Sequence, residues 1–394
     1  MKDLMCRGFK AAGIACGLKK TKARDLGLIV SDVPANAAGV FTKNRVQAAP
    51  VLLDKERIQS GFCQAIIVNS GNANCCTGQQ GIEDARTMAR AAAEALGISE
   101  DLVLTASTGV IGAPLPVEKI QAAAPELVQN LSVDGIHDVA QAIMTTDTVP
   151  KIVFRRGSLD GREFTVVALA KGAGMIRPDM ATMLCFVCTD VLASSQFLQK
   201  SLIEACDRSF NRITIDGDTS TNDTVLLLAN GMSEAGMQTP AHEAVFQELL
   251  DEVLLTLARM IVKDGEGATK LVEIMVRGAA DDADARRVAD AVAHSNLVKT
   301  ALFGEDANWG RILAAAGRSG ACMIPEKTDL YFNSVQMVKQ GFGCGKEAED
   351  RATAVLKTPE FAIVLDLNIG QGSASMLTCD FSIDYVKINA DYRS

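Results

Sequence analysis

The chain is poor in the residues on which much polar catalysis depends. Its 394 residues include three histidines, three tyrosines and one tryptophan. His137, His242 and His294 stand in unrelated, largely polar contexts, and no Gly-x-Ser-x-Gly elbow accompanies them, which argues against a Ser-His-Asp hydrolase. No segment reaches about 18 consecutive apolar residues, so no membrane-spanning helix is expected. At the N-terminus, Asp3, Arg7 and Lys10 interrupt any early apolar run, which argues against a signal peptide. The basic residues form no run or patch in a chain of net charge -9, so nucleic acid is not an expected partner. Regular cysteine spacing is missing too: eleven cysteines, an odd number, are scattered from Cys6 to Cys379. Reduced thiols and a cytoplasmic protein are expected.

The common cofactor motifs fail on their mechanics. KGAGMIRP has glycines at Gly172 and Gly174 but lacks the third one that a dinucleotide fingerprint needs, and GFGCGKE has no Ser or Thr after Lys346 to make a phosphate loop. In DGDTSTND, Thr221 stands where a calcium loop needs Gly, and Leu227 where it needs the bidentate Glu. Cys185 and Cys188 form C-x-x-C on a strand-like segment with no second pair at zinc-ligand spacing, so two buried core thiols are the reading. Neither a metal nor a bound cofactor is expected.

What is present is enough apolar material, 48% of residues, to build two or three structural units in a chain too long for one core. Short β-branched runs at residues 27–33, 64–69, 101–106, 151–155, 165–170 and 184–190 read as strands. Residues 81–96, with Gly97 just past the end, and 196–208 read as helices. In 241–262, Val245, Leu249, Val253, Leu257 and Met260 recur at helical period and predict one buried face. A strand at 271–277 follows, and Asp281 opens a further helix. A boundary is expected near residue 280, and 341–350 reads as a loop-like insertion. Strands and helices alternate imperfectly, which predicts a mixed α/β fold with a smaller α+β C-terminal domain.

The segment 171–190, KGAGMIRPDMATMLCFVCTD, carries the chemistry. A glycine-rich turn runs through Ala181 and Thr182 into an apolar strand. Local sequence alone favours a threonine that merely opens that strand. The other reading is self-cleavage, because a cut before Thr182 would put an α-amine, of pKa about 7.7–8.0, on the same residue as the hydroxyl it must deprotonate. Ala181 and the upstream glycines leave room for the hydroxyl to reach the preceding carbonyl.

A set of motifs in order then identifies a family. GFKAAGIACGLK, DLGLIVSDVPANAAGVFTKNRVQAAPV, VNSGNAN, STGVIG, MTTDT, KGAGM, MATML, DGDTSTNDT, VKDGEGATK, ANWGRI and YVKINADYRS together make the chain resemble the ornithine acetyltransferases, the bifunctional glutamate N-acetyltransferase/amino-acid acetyltransferase of arginine biosynthesis. The resemblance runs over essentially the whole chain. It implies a self-processing, N-terminal-nucleophile-type core, cut between Ala181 and Thr182. An α chain 1–181 would then be followed by a β chain whose part 182–280 completes the core and whose part 281–394 forms the C-terminal domain.

The resemblance further implies that Thr182 is the nucleophile and that Thr108, by its hydroxyl, and Gly109, by its N–H, stabilise the oxyanion. Thr145, Lys171, Thr182, Glu266, Asn389 and Ser394 would bind substrate, with Thr146 competing with Thr145 and Ser394 standing where the family commonly has threonine. Acetyl would pass from N-acetylornithine to glutamate, releasing ornithine, in an assembly of two α and two β chains. Some members also accept acetyl-CoA, and nothing in these residues separates the two kinds. The rivals are a self-processing aminopeptidase or amidase, in which water resolves the acyl-enzyme, and a metabolite-binding protein that stays uncut.

Overall fold

The computed structural model describes residues 6–177 and 183–390. It divides into two compact units, residues 1–211 with 218–261, and 212–217 with 262–394. The boundary expected near 280 lies within the second unit; the division itself falls at Ile261/Val262, near the end of a long helix.

In the first unit the chain runs β1 (Phe9–Ile14), β2 (Leu26–Phe41), α1 (Ala49–Arg57), β3 (Phe62–Asn72), α2 (Gly78–Leu96), β4 (Val103–Val110), α3 (Val117–Gln129) and α4 (Ile136–Ala142). It continues through β5 (Lys151–Leu159), β6 (Arg162–Lys171), β7 (Leu184–Thr189), α5 (Ser195–Arg208), β8 (Thr224–Ala229) and α6 (Pro240–Lys263). Seven strands form one sheet in the order β4-β3-β2-β8-β7-β6-β5, with β1 also paired to β2. The pairs β3/β4 and β7/β8 are parallel and the others antiparallel.

Strand β2 bears on two neighbourhoods. Its first residues pair with β1 and β3, its last with β8, and the register breaks between Val30 and Ala35. The break lets the sheet fold over itself. Ile66, Val68 and Leu104 from one half thereby share a core with Val167, Leu169, Phe186 and Leu226 from the other. On the opposite face of the first half, Met88 and Ala92 of α2 and Ile120 and Leu127 of α3 cover Leu28, Ile67 and Val103. Every residue of β7 and β8 is buried, so both faces of these strands are covered, which is why they read as unbroken apolar runs. Cys185 and Cys188 lie buried and unpaired on β7, as the sequence suggests, and all eleven cysteines are free.

Helix α6 forms where expected, but its buried face is turned by about one residue. Phe246, Leu250, Val253, Leu254, Leu257 and Ile261 are inside, whereas Val245 is exposed and Leu249 and Met260 only half-buried. Phe246 sets the rotation, because its ring meets Phe164 and Phe197 at centroid distances of 6.1 and 5.8 Å.

The second unit contains β9 (Leu271–Ala279), α7 (Asp282–Ala293), α8 (Asn296–Phe303), α9 (Trp309–Gly317), β10 (Asp329–Phe332), β11 (Val335–Lys339), β12 (Phe342–Gly343), α10 (Lys346–Leu356), β13 (Glu360–Asp366), β14 (Gly372–Cys379) and α11 (Ile383–Ala390). The sheet order is β12-β11-β10-β13-β9-β14, and β13/β9 is its parallel pair. Its core joins Val272, Ile274, Val288, Val292, Leu330 and Ile363, with Trp309 packed at the edge as an anchor. Asp281 caps α7 by accepting from the Asp284 N–H at 2.8 Å. The stretch 341–350 is not an insertion: it finishes β12 and, after Gly345 at φ 86°, starts α10 with Glu347 and Glu349 in the first turn.

Candidate active site

Strand β4 runs into the STGVIG motif as far as Val110 rather than ending before it, so Ser107, Thr108 and Gly109 belong to the sheet. Their neighbours in β3 are Asn69, Ser70 and Gly71, and the register shifts just after Gly71. Gly109 has φ 132°, and a Cβ built on it would lie 2.4 Å from the Gly71 carbonyl carbon and 2.6 Å from the Asn72 nitrogen. Only glycine fits here. The strand end is clamped by amides from two other motifs. The Ser107 hydroxyl donates to Asn69 Oδ1 at 2.6 Å, and Asn222 Nδ2 donates to the carbonyls of Ser107 and Ala73 at 2.8 and 2.7 Å.

Lys171 ends β6 and is paired in register with Leu184, which starts β7. That pairing places the lysine beside the strand that Thr182 precedes by sequence. Ala181, Thr182 and Ser394 themselves lie outside the described residues. Lys171 is no solvated surface lysine: its side chain is 4% exposed. Nζ donates to Thr145 Oγ1 at 2.8 Å and to Thr108 Oγ1 at 3.4 Å. The hydroxyl that meets it from MTTDT is thus that of Thr145.

The group that fixes this lysine is not evident from the sequence. Asp147, fully buried, lies between two ammonium groups, 2.7 Å from Lys151 Nζ, itself fully buried, and 3.8 Å from Lys171 Nζ. It also accepts from the Gly172 N–H at 2.7 Å and the Thr145 N–H at 3.1 Å. Burial alone would raise its carboxyl; the charges of Lys171 and Lys151 and the bonds from Lys151 and Gly172 outweigh it and hold Asp147 well below the usual carboxylate range. Asp147 stands in a motif already singled out, but only the fold reveals that Lys171, 24 positions on, shares it.

A second buried carboxylate stands beside Met183, just before β7. Asp223 Oδ1 accepts from the Met183 N–H at 2.9 Å, and Oδ2 has no hydrogen-bond partner among the described residues. Burial pushes this carboxyl well above its usual range, against the opposing effect of its bonds to Met183 and Ser220 and of the Lys171 charge. In the second unit, Glu266 is buried and accepts from Asn389 Nδ2 at 2.7 Å, so these two expected residues are together there. Among the described residues no group of three or more His, Cys, Asp or Glu side chains is placed to hold a metal ion, and no helix is long and apolar enough to cross a membrane.

The cluster of the first unit has a definite chemical capacity. A lysine hydrogen bond into the oxygen of Thr108 occupies a lone pair and leaves the hydroxyl proton to donate elsewhere. The buried ammonium strengthens that donor and favours negative charge nearby. A preset O–H donor beside a glycine whose backbone can be closely approached is the equipment of an oxyanion site.

Comparison with known proteins gives a consistent answer. The family model described as the ArgJ family matches residues 10–394. The arginine biosynthesis bifunctional protein ArgJ of Geobacter sulfurreducens is 53% identical over 390 residues, covering 98% of this chain and 99% of that protein. That of Syntrophotalea carbinolica is 53% identical over 389 residues, with coverage of 98% and 99%. A crystal structure of the arginine biosynthesis bifunctional protein from Bacillus halodurans is 44% identical, with a TM-score of 0.50, and covers 52% of this chain and 97% of its own.

Proposed function

This chain belongs to the ArgJ family, which makes it an enzyme of arginine biosynthesis, and we propose that it moves an acetyl group from N-acetylornithine to glutamate through an ester on Thr182. The observation that carries the proposal is the buried contact of Lys171 with both Thr108 and Thr145, at the end of the strand that is in register with the one after Thr182.

The chain first cuts itself. The Thr182 hydroxyl attacks the Ala181 carbonyl, the C–N bond breaks to free the Thr182 α-amine and leave an ester, and water hydrolyses that ester to release the Ala181 carboxylate and restore the hydroxyl. In the first half-reaction that amine takes the hydroxyl proton as Thr182 attacks the acetyl carbonyl. Thr108 and the Gly109 N–H receive the oxyanion, and the proton passes to the departing amine of ornithine. Glutamate enters, its α-amine attacks the acetyl-Thr182 ester, and N-acetylglutamate leaves with the hydroxyl restored. Lys171, fixed by Asp147, holds the Thr108 hydroxyl in its donating orientation and supplies positive charge; Thr145 lines the same place. Glu266 and Asn389, hydrogen-bonded to each other, and Ser394 are read as substrate-binding residues, with Glu266 for the ornithine ammonium. The bifunctional naming of the relatives favours acetyl-CoA as a second donor. The mature enzyme is read as two α and two β chains in the cytoplasm, with no metal or bound cofactor.

Steady-state kinetics test the transfer: varying N-acetylornithine at several glutamate concentrations should give parallel double-reciprocal lines. Intersecting lines would remove the covalent intermediate. Acetate released from N-acetylornithine at a rate independent of glutamate would instead favour the aminopeptidase or amidase reading.

A further inference from the structure

Two adjacent thiols lie in the turn after β3, outside the machinery assigned above. Neighbouring side chains on an extended strand point to opposite faces. Here left-handed backbone at Asn74 (φ 44°) and Cys76 (φ 59°) curls the turn, and the sulfurs of Cys75 and Cys76 meet at 3.8 Å. Cys75 is buried in a small apolar cluster with Ala48, Val51 and Ala73, whereas Cys76 is exposed. One thiol can therefore be reached from solvent and hand a reagent to the other.

The spacing selects the chemistry. A direct disulfide needs sulfurs about 2.0 Å apart on Cα atoms about 4.4–6.8 Å apart, and adjacent Cα atoms are only about 3.8 Å apart. A trivalent, pyramidal centre bonded to both sulfurs at about 2.3 Å, with an angle somewhat below tetrahedral, holds them roughly 3.4–3.5 Å apart, a closure of a few tenths of an ångström that a turn of the exposed Cys76 side chain supplies. No third His, Cys, Asp or Glu joins the pair among the described residues, so an ion needing four protein ligands is not served. We propose that Cys75 and Cys76 form a two-thiol chelate for one soft, thiophilic centre of the class of trivalent arsenicals, and that its occupation loosens the strand end carrying Thr108 and Gly109.

In the binding step an R–As(OH)2 species gains two As–S bonds and loses two As–O bonds. The two thiol protons leave with the hydroxyls as water, and arsenic stays trivalent. Burial raises the Cys75 thiol pKa, so attack starts at exposed Cys76 and closes on Cys75 within the tethered adduct. The coupling to β4 is explicit. The Cys75 carbonyl accepts from the Gly112 N–H at 3.0 Å, and the Ala73 N–H donates to the Val110 carbonyl at 3.0 Å. The Cys75 thiol lies against Thr221, whose hydroxyl donates to Asn222 at 2.6 Å, and Asn222 is the clamp on Ser107. Seating arsenic on Cys75 pulls at this chain from its far end.

The binding half stands alone, while the loosening half rests on the oxyanion reading of Thr108 and Gly109. Phenylarsine oxide is the probe. Intact mass and alkylation of remaining thiols should show one phenylarsenic per chain protecting two cysteines. Acetyl transfer should fall several-fold and return with a dithiol but not with a monothiol. Cys76→Ser should lose both effects, and Cys344→Ser, at another exposed cysteine, should keep them. An adduct that survives Cys76→Ser overturns the site. An adduct on the native enzyme with unchanged transfer overturns the coupling. Absence of transfer before any probe is added would strike the proposed function, and the mass readout would still decide the chelate.

Discussion

Replacing Asp147 by Asn keeps the shape of the buried cluster and takes the carboxylate from between two buried ammonium groups. Removing one partner of a buried ion pair costs about 3–5 kcal/mol. Asp147 serves Lys151 at 2.7 Å and Lys171 at 3.8 Å and accepts two backbone N–H groups, which puts the expected cost at the upper part of that range. Against the roughly 5–15 kcal/mol that holds a typical domain together, this is a large fraction. Urea unfolding followed by circular dichroism is the assay, because the one tryptophan, Trp309, reports from the second unit. Adding Lys151→Met should recover part of the loss, with a coupling energy of about 0.5–3 kcal/mol. The pH dependence has a definite sign. The folded-state carboxyl is depressed, so its stabilisation is complete above the unfolded pKa near 3.9 and is lost as pH falls through the folded value. The gap between wild type and Asp147→Asn should stay constant from about pH 8 to about pH 5 and shrink on further acidification. A change below about 0.5 kcal/mol at neutral pH, the size of an ordinary surface substitution, would refute the role given to this carboxylate.

Thr108→Ala should lower turnover by tens to thousands of fold while the protein stays folded, and an unchanged kcat excludes its hydroxyl from the oxyanion site. Gly109→Ala should be at least as damaging, since its Cβ would meet the Gly71 backbone at 2.4 Å; a fully active variant would show that β3 and β4 can part there. Activity should fall as pH drops through the α-amine value of about 7.7–8.0, and a rate flat from about pH 9 to about pH 6 counts against Thr182 as its own base. Asp223 carries a raised carboxyl, so the folded state keeps a proton that the unfolded chain gives up near 3.9, and stability falls as pH rises above that value. Asp223→Asn should therefore gain in melting temperature relative to wild type as pH goes from about 5 to about 8; a pH-independent difference would mean the carboxyl is not shifted.

The sequence displays local features well and partnerships poorly. Strand cores and the helices around Met88 and Leu198 follow from run length, punctuation and period, and Gly97 ends its helix in the left-handed conformation as expected. The rotation of α6 escaped because the periodic set from Val245 and the set from Phe246 differ by one position. What separates them is the pair of rings waiting at Phe164 and Phe197. The stretch 341–350 reads as a loop because its glycines are dense, yet Gly341 turns the chain from β11 into β12, Gly343 lies in β12 and Gly345 turns the chain into α10. The motif with Thr108 and Gly109 is plain in the sequence, as is Lys171. The Asp147–Lys151–Lys171 cluster is not, because a carboxylate shared across the sheet leaves no spacing rule to read. The same holds for Asn222, whose clamp on Ser107 spans 115 positions.

Intact mass spectrometry under denaturing conditions, before and after mixing with N-acetylornithine, addresses the central claim most directly. The account predicts two chains meeting at Ala181/Thr182, an acetyl group gained by the chain that begins at Thr182, and its removal by glutamate. A single chain of 394 residues that takes up no acetyl group would contradict it.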